Sequence, residues 1–176
     1  TISQGNFEQT IYHDSLLRPI LTRTRDKSNS AQTTNYQRTE YDHDSRPILQ
    51  SFPSKVASTT LGMKTQYDVL GRVTEVLRQS DNAKTITQYL SGNRQRVTDA
   101  KGHMTTTTYL AYGQPAYDKP TLINAPDSAD TTIAYNLFDQ ITSIKQGGVT
   151  EQRLYDNYQQ LCKQIRPETG VTVYDY

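Results

Sequence analysis

Tryptophan is absent from this chain of 176 residues, cysteine occurs once and phenylalanine three times. A single Cys162 cannot close an intramolecular disulfide, which excludes a small domain held together by several of them. Aliphatic residues are scarce too. Leu, Ile, Val and Phe make up 34 of the 176 positions, just under the ~20% below which a chain has little apolar surface to bury. Disorder also needs a large net charge, and here 19 basic residues face 18 acidic ones. No apolar run approaches the ~18–20 residues of a membrane helix, and no amino-terminal stretch has the form of a signal peptide. Seven basic residues precede position 60 and twelve follow it, each matched by nearly as many acids. The basic stripe of a nucleic-acid binder is therefore missing. No nucleic-acid partner and no membrane insertion are expected.

What the chain has instead is 25 threonines, 16 glutamines and 13 tyrosines. Thr and Tyr favour strands, and Tyr brings a large ring whose hydroxyl can stay wet. The tyrosines also recur. Tyr12, Tyr41, Tyr67, Tyr89, Tyr109, Tyr135, Tyr155 and Tyr174 lie 19 to 29 residues apart. Five residues after all but the first and last stand Arg46, Arg72, Arg94, Gln114, Gln140 and Gln160, while the first unit reads one residue longer and reaches Arg18. The residue before each of those six is Ser45, Gly71, Asn93, Gly113, Asp139 or Gln159, mostly types that accept a turn or positive φ. Residues 13–15 and 43–45 share HDS, and 18–21 and 46–49 share RPIL. This is a degenerate internal repeat.

Each unit reads as a hairpin. A Thr-rich strand such as TITQY leads to the tyrosine, a corner such as DVLG at 68–71 follows, and a second strand such as RVTEVL runs away from it. Looser stretches, RQSDNAK at 78–84, DAKGH at 99–103 and INAPDSAD at 123–130, return the chain to the next strand. No segment holds an apolar period of 3.6, so little or no helix is expected. Within TITQY, Thr85, Thr87 and Tyr89 share one side, and Ile86 and Gln88 the other. Neither side is a clean apolar stripe, which favours an extended sheet over a two-layer sandwich. The expected fold class is all-β: a repeat meander of antiparallel hairpins forming a curved, extended sheet. Tyr67, Tyr89, Tyr109 and Tyr135 should end strands half-buried, and Gly71 and Gly113 should take positive φ. The terminal YDY opens another unit at Tyr174-Asp175, so the chain is expected to be a fragment of a longer array.

Catalytic chemistry finds little support in these residues. His13-Asp14-Ser15 and His43-Asp44-Ser45 hold the residue types of a nucleophilic triad, but three adjacent residues in one turn cannot adopt its geometry. His13, His43, His103 and Cys162 lack metal-ligand spacing, and DHDS at 42–45 lacks the glycine and distal Glu of a calcium loop. Asp42 with Asp44, or Asp127 with Asp130, could supply paired carboxylates, yet polar turns account for them. Arg46, Arg72 and Arg94 could bind a polyanion; stacking on tyrosine or pairing with a turn Asp is the plainer role. The expectation is no catalytic, cofactor-binding or metal residue, no cofactor and no enzyme activity.

YDVLGRVTEV, from Tyr67 to Val76, closely resembles the unit of the Rhs or YD-repeat family, a Tyr-Asp pair, a short turn ending Gly-Arg and a hydrophobic strand. YDHDSRPIL from Tyr41 and YDNYQQLCKQIRPETG from Tyr155 match it as well. His13, Leu90, Leu110 and Asn136 replace the Asp in the other units, and Gln114, Gln140 and Gln160 replace the Arg. The resemblance spans about residues 7–176 and implies a single array of about seven repeats over 1–176. It further implies a hollow β-shell, as in bacterial polymorphic toxins, insecticidal toxin cages, wall-associated proteins and teneurins. Its partners would be adjacent repeats of the same parent chain and an enclosed toxin or effector domain. It would be secreted or displayed at the cell surface as part of a larger bacterial protein. The Asp-Pro signature of the family's self-cleaving core has no counterpart, because no Asp-Pro dipeptide occurs. Two functions follow as expectations: a structural shell segment that encloses and protects its cargo for delivery, or a cell-surface module that binds carbohydrate or a receptor. Self-association through open sheet edges is expected of the isolated piece.

Overall fold

The computed structural model describes residues 1–113 and 116–176, so Gln114 of the repeat lies outside the described residues. The chain divides into two compact units, Thr1–Ile86 and Thr87–Tyr176. The first carries β1 (Ile2–Gln4), β2 (Phe7–His13), β3 (Pro19–Asp26), β4 (Asn35–Tyr41), β5 (Pro47–Ser51), β6 (Gly62–Tyr67), β7 (Val73–Arg78) and the start of β8 (Ala83–Leu90). The second carries β9 (Arg94–Thr98), β10 (Met104–Tyr109), β11 (Pro120–Asn124), β12 (Thr131–Tyr135), β13 (Ile141–Gln146), β14 (Val149–Tyr155), β15 (Leu161–Arg166) and β16 (Gly170–Val173). Strand order follows sequence order, and each described pairing is antiparallel. The fold is an all-β hairpin meander, as the residue pattern indicates.

Tyr67, Tyr109 and Tyr135 end β6, β10 and β12, Tyr89 is the penultimate residue of β8, and all four are half-buried. Gly71 and Gly113 have φ of 79° and 83°. Among the described residues helix is confined to one turn of 3₁₀ at Lys27–Asn29 and four α-helical residues at Ser30–Thr33. Asp26 starts that segment by accepting bonds from the Ser28 amide and hydroxyl, at 2.8 and 2.6 Å.

Apolar burial is sparse, as the composition dictates. Leu49 on β5 is the one buried large apolar side chain among the described residues. Beside it the backbones of β5 and β6 meet closely at Ser51 and Gly62. A Cβ on Gly62 would stand 2.2 Å from the Gln50 carbonyl oxygen, so only glycine lets the strands pair here. The Ser51 hydroxyl is buried too, and it accepts the Arg38 amide at 2.7 Å. Among the described residues of the second unit the most buried side chain is polar. Gln164 donates to Glu151 at 2.8 Å and accepts the Tyr174 hydroxyl at 3.1 Å. Cross-strand polar pairs do much of the work that a core does elsewhere.

Candidate functional site

Six corners among the described residues share one construction: 14–18, 42–46, 68–72, 99–103, 136–140 and 156–160. The first residue is Asp, or Asn at 136. Its Oδ1 accepts the amides two and four residues on, at 2.8–3.0 Å in all six. Its backbone carbonyl accepts the amide three residues on, and its amide donates to the carbonyl four residues on. The fourth residue is left-handed: Leu17, Ser45, Gly71, Gly102, Asp139 and Gln159 have φ from 61° to 88°. This is a type I turn closed by a left-handed residue, in which one carboxylate or amide oxygen replaces two missing ladder bonds. At the five corners joined to a tyrosine- or histidine-ended strand the register then slips by one residue, leaving Ile20, Ile48, Thr74, Thr142 or Cys162 as a bulge.

Asp sets the frame, and tyrosine follows it. In the first unit Asp14 holds the anchor, and His13 occupies the place that Tyr41 and Tyr67 hold elsewhere, opposite Pro19. The unit is not one residue longer; its tyrosine sits one residue early. DAKGH at 99–103, expected as a loose return, is an Asp-anchored corner on the opposite edge of the meander. The corner after Tyr89 holds its expected place but lacks the anchor, because Leu90 has no oxygen to offer; after Tyr109 the second strand starts only at Pro120, and the Leu110 amide donates to the Lys119 carbonyl at 2.8 Å, so the short corner expected there is not formed. At the corner after Tyr89, Asn93 instead donates from Nδ2 to the Tyr109 carbonyl at 2.9 Å.

The fifth corner residue closes an ion pair on the anchor. Arg18, Arg46 and Arg72 bring Nε to within 2.7–2.8 Å of Oδ2 of Asp14, Asp42 and Asp68. The guanidinium bonds of Arg18 and Arg72 hold the Asp14 and Asp68 carboxyls below the usual range, with the turn amides adding to the effect. At Asp42 partial desolvation opposes the ion pair, and the Arg46 amide and guanidinium prevail. His103 takes this place at the fourth corner, with Nδ1 at 3.0 Å from Asp99. Asn136 keeps the geometry without charge by donating to Gln140 Oε1 at 2.9 Å.

Corners are then linked to their successors within each unit. Arg18 donates to the Ser45 hydroxyl at 3.1 Å, and Arg46 Nη1 lies against Gly71. Lys119 pairs with Asp139, and Gln140 donates to the Gln159 carbonyl at 2.8 Å. Arg18, Arg46 and Gln140, which close their own corners, and Lys119, which precedes β11, each reach the left-handed residue of the next corner. A second link runs backwards. The hydroxyls of Tyr41, Tyr67, Tyr135 and Tyr155 donate to the carbonyls of Pro19, Pro47, Pro120 and Ile141, which open the second strand of the preceding hairpin, at 2.9–3.0 Å. Tyr176, and not Tyr174, makes this bond to Leu161, at 3.3 Å. Tyr174-Asp175 is thus out of frame with the repeat.

The sequence candidates fall into this framework. Asp14, Asp42 and Arg46 are consumed by the corners, and Ser45 accepts Arg18. His43 Nε2 lies 3.3 Å from Asp44, an exposed neighbour in the same turn. Asp42 and Asp44 both pair with Arg46, at 2.7 and 2.9 Å, so they do not face each other across a cleft. Asp127 is a left-handed turn residue, and Cys162 donates to the Leu154 carbonyl. Arg94 Nε donates to the Ser91 carbonyl at 2.9 Å. Arg18 and Arg46 also cover the rings of Tyr41 and Tyr67, 4.7 and 4.9 Å from the centroids, which occupies the faces a sugar would stack on. One ionic cluster had no signal in the sequence. Glu151 accepts from Gln164, Arg153 and Arg166 at 2.8, 2.7 and 3.1 Å, and those donors hold its carboxyl at about 2.

No family model matches the chain, and no curated protein matches it. Solved structures do. The chain is similar to TcdB2-TccC3 without its hypervariable C-terminal region, at 13% identity and a TM-score of 0.44, over 94% of its own length. Two further structures, TcdB2-TccC3-TEV and TcdB2-TccC3-Cdc42, match at 13% and 14% identity with TM-scores of 0.38 and 0.37. The chain spans 13% of the length of each.

Proposed function

We propose that this chain is a wall segment of a Rhs/YD-type β-shell, which encloses and protects a toxin or effector domain for delivery. The observation that carries the reading is the two-way linkage of corners. Arg18, Lys119 and Gln140 reach forward to the left-handed residue of the next corner, and the hydroxyls of Tyr41, Tyr67, Tyr135 and Tyr155 reach back to the preceding hairpin. The anchor oxygens are spent on closing the turns, and Arg18, Lys119 and Gln140 on holding one hairpin to the next, which is what a barrier needs and a catalytic centre does not. The hydroxyls of Tyr41, Tyr67, Tyr135 and Tyr155 are similarly committed, which favours a wall over a carbohydrate-binding surface. On this reading the segment catalyses nothing and works beside adjacent repeats of a larger secreted or surface-displayed bacterial protein.

The test removes one unit from the parent protein. Deleting residues 42–67 joins Tyr41 to Asp68 and keeps the corner frame while shortening the wall by two strands. Limited proteolysis should then cut the enclosed domain faster than in the intact parent, with that domain's own activity unchanged. Equal protection in both would refute enclosure.

A further inference from the structure

Between the bulge residue of one strand and the tyrosine of the strand beside it lies a cavity, built each time from the same repeat positions. The first is lined by Ile20 and Tyr41 and the second by Ile48 and Tyr67, while the second unit has one at Thr142 and Tyr155. Their volumes are about 500, 440 and 380 Å³, within the range of ligand sites. Glu40 lines both the first and the second, so in the first unit two seats join into one groove across β3, β4, β5 and β6. Most ions along it are already matched: Asp14 with Arg18 and Asp42 with Arg46 at 2.7 Å, and Arg38 with Glu40 at 2.9 Å. The hydroxyls of Tyr41 and Tyr67 are spent on Pro19 and Pro47. What the groove has left to offer is chiefly apolar contact. One stretch of polypeptide already lies along it: Ala57 and Ser58, from the irregular segment between β5 and β6, line the first seat. The second seat is lined by strand and corner residues alone.

We propose that this groove binds an extended peptide of another chain, in polyproline II form with an apolar side chain at every third residue. Equivalent seats are two strands apart, about 10 Å. A polyproline II chain advances about 9 Å in its three-residue turn, so side chains three apart point the same way and enter successive seats. A β-strand matches the period poorly, because its side chains share a face at intervals of about 7 Å. The polyproline II form has no internal hydrogen bonds and is largely pre-formed, so it loses little entropy on docking, which suits seats that contribute contact rather than polar bonds. A sugar chain would find the ring faces of Tyr41 and Tyr67 taken by Arg18 and Arg46. The seated Ala57 and Ser58 are the chain's own instance of the occupant, a polypeptide without regular structure. The inference does not depend on the wall reading, because the groove belongs to the first unit whether or not a cargo is enclosed.

Fluorescence anisotropy of the whole chain with a labelled twelve-residue peptide of repeated Leu-Pro-Pro tests it. Binding should saturate with a Kd below about 1 mM, and a peptide of the same length built from repeated Leu-Pro-Pro-Pro should bind at least tenfold more weakly. Ser58→Trp, which fills the first seat from an exposed position on the loop, should lower the affinity for the first peptide at least tenfold. Ile48→Lys, which puts a charge in the second seat, should do likewise. Circular dichroism should show both variants with the wild-type strand spectrum; if Ile48→Lys fails to fold, Ser58→Trp decides alone. Val171→Lys, on the open edge strand β16, should bind as the wild type does. Absence of saturation by about 1 mM overturns the proposal, as does equal affinity for the two peptides. So does undiminished binding in the folded seat variants, or its loss in Val171→Lys. Displacement of the bound peptide by cellotetraose would assign the groove to carbohydrate and overturn it too.

Discussion

At Tyr67 a ring ends β6 and its hydroxyl bonds the Pro47 carbonyl one hairpin back. Tyr67→Phe keeps the ring and loses that bond, so urea denaturation should show a loss of about 1 kcal/mol. Tyr158→Phe removes a hydroxyl from an exposed corner tip and should change the midpoint by a few tenths at most. Gln159 holds a left-handed φ of 64°, and its buried Oε1 has no partner. Its useful contribution is the backbone carbonyl that Gln140 reaches. Gln159→Gly should therefore stabilise the chain, by roughly 0.5–1 kcal/mol in the same measurement. The residue scale is also where the sequence misleads. Tyrosine is the conspicuous letter, yet the oxygen of Asp14, Asp42 or Asn136 defines the corner, and Tyr12 and Tyr174 are out of frame with it. An aspartate among 18 acidic residues gives no visual cue until its two amide bonds are seen.

Between elements, the tightest constraint is the meeting of β5 and β6. Gly62→Ala must push apart two paired backbones, because the new methyl would lie 2.2 Å from Gln50 O and 2.5 Å from Ser51 Cα. It should cost about 3 kcal/mol, measured by chemical denaturation, against about 1 kcal/mol for Gly71→Ala, whose strain is one positive φ. The corner glycines were the ones the repeat brought to notice; Gly62 sits inside a strand where no repeat position marks it. Glu151 teaches the same lesson for charge. Its partners come from its own strand β14 and from β15, and only the register of those strands brings them together. Its carboxyl falls from 4.5 to about 2 because Gln164 and the two arginines bond the ionised form. The resulting stabilisation is whole above about pH 4.5 and disappears as pH falls towards 2. Denaturation midpoints between pH 5 and 2 should drop less steeply for Glu151→Gln than for the wild type. A steeper drop in the variant would show that the cluster does not hold the carboxylate. Hairpins and their order were legible because turn chemistry is local; the bulges, the Asp99 corner and the ionic cluster depend on pairing, which a single chain does not spell out.

For the whole molecule, stability should behave as a sum of hairpins and their junctions, since strands pair only with their neighbours in sequence. Deletion of 42–67 should leave the strand signal per residue unchanged in circular dichroism while lowering the melting temperature only modestly. A collapse of the remaining signal would mean that distant repeats support one another. The meander also has a mechanical meaning. Tension applied to the two ends of a chain folded in this order loads the outermost strand first and peels its hydrogen bonds one after another, without shearing many at once. The tyrosine bond and the corner link then act as catches spaced one hairpin apart. From Tyr41 to Tyr67 the released backbone is 26 residues, about 90 Å when drawn out. Such a meander yields at low force in steps, and each step frees one hairpin while those behind it stay latched.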